Sequence, residues 1–305
     1  LVKQQTCLLT GKILVFDIGG TNIKYGLFSN KGRLLKTGEE ETPKSYNNLL
    51  LFILDNVISN HNIGYVVLGI PGTISYANHK IIFAPNLKYL TNKYIVRDLN
   101  KKGNIHCLIE NDANLAGIGE YYYKKERVKN FALVTLGTGV GGALINNGKI
   151  FTSKISSFEL GHMKIVKDGR LCGCGKFGCF EAYASKIGLE NTYSELTGEF
   201  LPVNDIISKA RVMEKYSTKS FQIFGSYLGL GLSNIANLLT PEEIILSGGL
   251  SEVADLFFDT TIQTFNDNIY PSFINKIKLS ISQLKNRAAL FGGYSLAKVS
   301  QQRQS

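Results

Sequence analysis

Lys12 to Thr21 reads KILVFDIGGT, and Phe131 to Gly142 reads FALVTLGTGVGG. Each opens with an apolar run of strand length and ends in a turn built from Gly and Thr. A second apolar run follows each turn, Tyr25 to Phe28 in the first case and Ala143 to Ile145 in the second. Asn30-Lys31-Gly32 and Asn146-Asn147-Gly148 then reverse the chain. Strand, Gly-rich turn, strand and tight turn thus occur twice, which predicts a duplicated α/β architecture.

Working outward from the first copy, Arg33 to Lys36 continues as a strand. Leu49, Leu50, Phe52, Ile53, Val57 and Ile58 recur at helical spacing after Pro43. Tyr65 to Ile70 is predicted as a buried strand running into Pro71-Gly72. Ile105 to Ile109 is another, running into Glu110-Asn111-Asp112, with a helix from Ala113 to about Lys125. Around the second copy, a helix over Phe221 to Leu239 stops before Pro241. Glu243 to Leu246 is a strand with Ser247-Gly248-Gly249 behind it, Ile277 to Ile281 a last strand, and Ala288 to Val299 a last helix. No low-complexity linker separates the halves, so the junction is set near Gly117. The expectation is a smaller α/β domain over 1–116, joined by a C-terminal helix over 288–305. A larger α/β domain over 117–287 contains the Cys-rich segment 159–181.

The chain has 305 residues, 44% hydrophobic and 19% charged. That is enough apolar material for about two domains of roughly 100–200 residues and too much for a disordered chain. Its 31 Gly follow no Gly-X-Y period, which excludes collagen. Lys and Arg number 34 against 24 Asp and Glu, a net charge of +10. Such a balance suits an anionic or phosphorylated partner but is also common on proteins with a basic face, so it does not by itself indicate nucleic-acid binding. The cluster Lys124, Lys125, Arg127 and Lys129 reads as a solvated helix end. No stretch approaches the roughly 18 consecutive apolar residues of a membrane span, and nothing near the N-terminus reads as a secretory signal. Five Cys, an odd number with three inside eight positions, is not a disulfide framework. It fits a reducing cytoplasm and a local metal site.

Gly-rich turns after strands let backbone N–H groups approach phosphate oxygens, because no Cβ blocks the way. Asp17 adds a carboxylate suited to Mg²⁺ through water, and Lys24 adds positive charge nearby. A plain tight hairpin is the alternative, since neither turn is a Walker A loop or a dinucleotide fingerprint. Asp112, at the end of a buried strand, stands where a general base would accept a hydroxyl proton. Its alternative role is to cap the helix that follows. One His and three Cys, in Glu159-Leu160-Gly161-His162 and then Cys172, Cys174 and Cys179, match a closed tetrahedral zinc site, with a free-thiol or redox role as the alternative. With no open coordination position the zinc is expected to be structural. It would stiffen the segment carrying Glu159, His162 and Glu181, polar groups able to hold a ligand's hydroxyls. Cys7 and Cys107 read as apolar fillers.

Six motifs in order, DIGGT at 17–21, ENDAN at 110–114, TLGTGVGG at 135–142, ELGH at 159–162, CGCGKFGCFE at 172–181 and SGG at 247–249, make the chain resemble the ROK family of sugar kinases and sugar-responsive regulators from about Ile13 to Ala297. The resemblance implies an actin-like ATPase (ribonuclease H-like) fold, two α/β domains around a cleft. It implies that Asp17, Gly19, Gly20, Thr21 and Lys24, with Gly137, Thr138, Gly139 and Gly141, bind the phosphates of ATP with Mg²⁺, and that Gly248 and Gly249 lie by the adenosine. Asn86, Asn111, Asp112, Glu159, His162 and Glu181 would contact sugar hydroxyls, with Asp112 as catalytic base. His162, Cys172, Cys174 and Cys179 would hold a structural Zn²⁺, His162 serving metal and sugar through different ring nitrogens. A homodimer is implied as well. One departure stands out: Phe151 to Phe158 is bulkier than the Gly- and Ala-containing loop usual before the Glu, so Phe158 either packs under the loop or narrows the pocket.

The expected activity is ATP-dependent phosphorylation of the primary 6-hydroxyl of a hexose or hexose derivative by a cytoplasmic enzyme. Glucose, a β-glucoside, N-acetylmannosamine, N-acetylglucosamine and fructose remain open, with glucose favoured. Two alternatives are a sugar-responsive regulator without its own DNA-binding module and a kinase using another donor such as polyphosphate. About a dozen residues precede the first strand, too few for a helix pair, so sequence-specific nucleic-acid binding is not expected.

Overall fold

A computed structural model describes residues 11–103, 105–124, 128–155 and 158–304. The readings made above for Cys7, Lys125, Arg127, Ser156, Ser157 and Ser305 lie outside the described residues. In chain order the elements begin with β1 (Lys12–Ile18), β2 (Asn22–Phe28), β3 (Leu34–Glu41), α1 (Tyr46–Ser59), β4 (Ile63–Ile70), β5 (Thr73–Ser75), β6 (Lys80–Phe83), α2 (Ile95–Gly103), β7 (Cys107–Asn111) and α3 (Asp112–Tyr123). They continue through β8 (Phe131–Leu136), β9 (Val140–Asn146), β10 (Lys149–Ile150), α4 (Glu181–Ala184), α5 (Lys186–Thr197), α6 (Val203–Arg211) and α7 (Lys215–Leu239). The last are β11 (Glu243–Ser247), α8 (Phe258–Asn268), β12 (Lys278–Ile281) and α9 (Ala288–Gln304).

One five-stranded sheet runs β3-β2-β1-β4-β7 and the other β10-β9-β8-β11-β12. The two orders are the same. In each, the first strand pairs antiparallel with its hairpin partner on one side and parallel with a later strand on the other. Crossovers between the parallel strands bring their carboxyl ends to one edge, where open α/β sheets present ligands.

The chain divides into two units: Leu1–Lys125 with Ile150–Ser157 and Arg287–Ser305, and Glu126–Lys149 with Phe158–Asn286. In the first, Phe16, Leu68, Leu49 and Ile53 are fully buried in one core. In the second, α7 turns Phe221, Phe224, Leu228, Leu232 and Ile235 inward at helical spacing. Each such side chain contributes roughly 1.5–3 kcal/mol relative to exposure. Among the described residues no helix is long and apolar enough to cross a membrane.

Two readings need correction. The junction does not fall near Gly117, which is inside α3. That helix meets α9 backbone to backbone: a Cβ at Gly119 would collide with the Ala288 carbonyl, and one at Gly292 with the Leu115 carbonyl. Such an approach needs Gly on both helices, and it holds all of α3 in the first unit. Helix α7 also begins six residues before Phe221. There the Glu214 carboxylate accepts from the amides of Tyr216 at 3.0 Å and Ser217 at 2.7 Å, a capping arrangement.

Candidate functional site

In the first unit, the register pairs Asp17 with Gly69, Gly69 with Glu110 and Ile70 with Asn111. Three parallel strands thus deliver Asp17 and Asp112 to the same carboxyl edge. Burial, and then the neighbouring Asp112 carboxylate, push the Asp17 carboxyl up to about 7, with Lys24 acting in the opposite direction. Lys24 stands directly across from Asp17 on β2. The turn between them is held in place. Gly19 donates its N–H to the Asn22 carbonyl at 2.9 Å, and Thr42 donates its hydroxyl to the Gly19 carbonyl at 2.8 Å and its N–H to the Thr21 carbonyl at 2.8 Å. Asn86 lies against Gly20, where an added Cβ would stand 3.2 Å from its own Cβ.

The cap of α3 is Asn111, not Asp112. Asn111 Oδ1 accepts the Asn114 amide at 3.1 Å while its Nδ2 donates to the Gly72 carbonyl at 3.1 Å. Asp112 opens α3, and its Oδ1 accepts the Ala113 amide at 2.9 Å. Behind this edge lies a group that sequence reasoning missed. Buried Glu110 accepts from the Tyr76 hydroxyl at 2.5 Å, the Asn111 amide at 2.8 Å and Asn114 Nδ2 at 3.0 Å. Burial pushes its carboxyl up, and these three donors oppose that shift.

In the second unit, the Gly137–Gly141 turn lies at the end of β8, and β11 places Ser247 directly beside Thr135. Gly137 donates its N–H to the Gly139 carbonyl at 3.0 Å. The segment from α4 into α5 holds the turn from outside. The Lys186 amide donates to the Gly137 carbonyl at 2.9 Å, and Glu181 Oε2 accepts the Val140 amide at 2.9 Å. Glu181 was read from the sequence as a hydroxyl-binding residue; here one of its oxygens anchors the phosphate-type turn. Gly161 passes so close to the Val140 carbonyl that a Cβ there would collide with it, which brings the ELGH turn to the same place. Glu159 is exposed just before that turn. Phe158 packs against the core of this unit at φ +89°, a left-handed value that is costly for an aromatic residue.

His162, Cys172, Cys174 and Cys179 converge, their ligand atoms all within 4.8 Å of one another. Cys174 Sγ is 3.7 Å from Cys179 Sγ, and Cys172 Sγ is 3.7 Å from His162 Nδ1. Bonds of about 2.3 Å to sulfur and 2.0 Å to nitrogen give tetrahedral edges of roughly 3.5–3.8 Å, so the donor set fits Zn²⁺. Two neighbours were not foreseen. Lys164 Nζ lies 3.0 Å from Cys179 Sγ, and Arg170 bonds Glu195, the Thr192 hydroxyl and the carbonyls of Ala182 and Gly188 while lying over the Tyr183 ring. Neither lies in the motifs, so only contact distances reveal them.

Two sheets of one strand order, each with a Gly-rich turn at the carboxyl edge of its parallel strands, place the protein among the actin-like ATPases. The ROK family profile matches residues 13–300, and the chain belongs to that family. The glucokinase of Halalkalibacterium halodurans is 30% identical to it, over 92% of this chain and 93% of the relative. The N-acetyl-D-glucosamine kinase of Mannheimia succiniciproducens is 32% identical, over 79% and 85% respectively. A solved ROK family glucokinase from Streptomyces griseus, in complex with glucose and AMPPNP, matches with a TM-score of 0.85 at 28% identity, covering 95% of this chain and 100% of that one.

Proposed function

We propose that the protein transfers the γ-phosphoryl group of ATP to the primary 6-hydroxyl of a hexose or hexose derivative, with Asp112 as general base. The observation that carries this reading is the strand register that brings Asp17 and Asp112 to one sheet edge, where Asp112 helps to push Asp17 up to about 7. A carboxylate next to a second carboxylate suits proton acceptance beside a phosphate-binding turn.

Phosphoryl transfer asks for positioning and charge stabilisation rather than covalent help. The sugar oxygen bonds to the γ-phosphorus, the bond to the β,γ-bridging oxygen breaks, ADP leaves, and the hydroxyl proton passes to Asp112. Asn86, Asn111, Glu159, His162 and Glu181 would orient the hydroxyls. Backbone N–H groups of Gly19 to Thr21 and Gly137 to Gly141 would face the phosphates, and Gly248 and Gly249 the adenosine. Asp17 is suited to hold Mg²⁺ through water, which would offset phosphate charge. Zn²⁺ on His162, Cys172, Cys174 and Cys179 would be structural, since those four ligands complete a tetrahedron. Three thiols in that role fit a reducing, cytoplasmic compartment.

Kinase names on both the glucokinase and the N-acetylglucosamine kinase relatives support the reaction class and favour glucose or an N-acetylated hexose. ADP release measured over glucose, N-acetylglucosamine, N-acetylmannosamine, fructose and a β-glucoside tests the substrate, and polyphosphate in place of ATP tests the donor. D112N should lower kcat about 10²–10⁴-fold while the protein still binds sugar and nucleotide. A wild-type rate in D112N would sink the reading.

A further inference from the structure

Lys186 opens α5 immediately after the capping residue Ser185, whose hydroxyl accepts the Gly188 amide at 3.0 Å. A cation in the first turn of a helix opposes the helix dipole, so the stability of α5 does not account for this side chain. Packing does not account for it either, because Lys186 is only half-buried. Among the described residues no carboxylate forms an ion pair with it.

Its placement is specific at both ends. The backbone N–H donates to the Gly137 carbonyl at 2.9 Å, so the residue is tied to the first Gly-rich turn of the second unit. The side chain reaches the other turn. A Cβ at Gly249 would lie 3.6 Å from Lys186 Nζ and 3.7 Å from its Cε. Those two turns end β8 and β11, adjacent parallel strands with Thr135 beside Ser247. The residue therefore links both Gly-rich turns at one sheet edge, its backbone on the first and its ammonium beside the second, where backbone N–H groups can face a ligand without a Cβ in the way.

We infer that Lys186 binds the α- or β-phosphate of the nucleotide, as a point charge supplied from outside the family motifs. This rests on the kinase reading above. An ammonium has three donors and no fixed plane, so it can follow a phosphate oxygen through the reaction without imposing a single geometry. It contributes charge to the diphosphate that ATP and ADP share. Its loss therefore weakens donor and product alike and leaves sugar binding intact.

The test is calorimetric titration of wild type, K186M and K186R with AMPPNP, ADP and adenosine, alongside steady-state kinetics. K186M should bind AMPPNP and ADP about ten- to a hundredfold more weakly, the range for a lost hydrogen bond to a charged group. KM for ATP should rise in step, with KM for the sugar and the affinity for adenosine unchanged. K186R should recover most of the loss. Two results would overturn the inference: unchanged ADP affinity in K186M, or an equal loss for adenosine, which would make Lys186 a packing residue. Wild-type protein that bound no adenine nucleotide would overturn the kinase reading itself, whereas nucleotide binding indifferent to residue 186 removes only this assignment. Unchanged sugar affinity in K186M verifies that the variant is folded.

Discussion

Tyr76 donates its phenolic hydrogen to Glu110 Oε1 at 2.5 Å, across 34 residues of sequence and onto the strand that carries Asn111. The same oxygen takes the Asn111 amide, so the phenol and the end of β7 share one acceptor. Tyr76→Phe removes the hydroxyl donor from a carboxylate that is only 5% exposed. The expected cost is about 1–3 kcal/mol in urea unfolding, with a lower kcat because Asp112 follows directly on that strand end. An unchanged unfolding midpoint would show that the remaining donors suffice.

Asp17 makes stability depend on pH. Its folded value of about 7 lies above the ordinary 3.8, so the folded protein holds this proton more tightly than the unfolded chain. The stabilisation is complete below about pH 4 and is lost as pH rises through 7. Without divalent cation, Tm should fall between pH 5 and 8, and D17N should remove much of that slope. A D17N protein with the wild-type slope would assign the effect elsewhere.

Lys164 faces the Cys179 sulfur. Three thiolates and a neutral imidazole around Zn²⁺ would carry a net charge of −1, which the ammonium 3.0 Å from Cys179 Sγ would offset. K164M should release zinc to a colorimetric chelator about tenfold faster, with the same folded spectrum while metal is bound. Equal release rates would leave Lys164 as a solvent-facing side chain.

Arg170 is largely covered, with its side chain 14% exposed, and its guanidinium serves two carbonyls, a hydroxyl and Glu195. Glu195 itself is 59% exposed, so the ion pair adds little, and the bonds to the carbonyls and the hydroxyl dominate. R170K cannot reproduce that fork and should cost about 2 kcal/mol, read as a lower Tm. Removing Glu195 instead should cost well under half of that.

Much of this protein was legible along the chain because the signals are local. A strand and the Gly-rich turn behind it occupy ten residues in the first copy and twelve in the second, and both copies reappear as sheets of one strand order. Three Cys within eight positions announce convergence on their own, and the fourth member of the cluster, His162, lies only ten residues before them. Strand β3 runs beyond the expected Arg33 to Lys36 because Thr37 to Glu41, mostly charged and exposed at a sheet edge, carries no apolar strand signal. Helices α2, α5, α6 and α8 went unassigned among segments of mixed polarity.

Tertiary structure decided what depends on residues far apart in sequence. Gly119 and Gly292 look like ordinary helix interruptions until α3 and α9 are laid together, and that approach moves the domain boundary beyond Gly117. Asn111 rather than Asp112 is the cap because backbone geometry directs Asn111 Oδ1 at Asn114. Val140 finds its acceptor in Glu181 forty-one residues later, and Lys186 lies beside Gly249 by packing alone. Periodicity and motif spacing record which local structure a segment forms. Long-range hydrogen bonds and charge pairs are made only when the folded chain brings their partners within about 3 Å, a distance no linear pattern encodes.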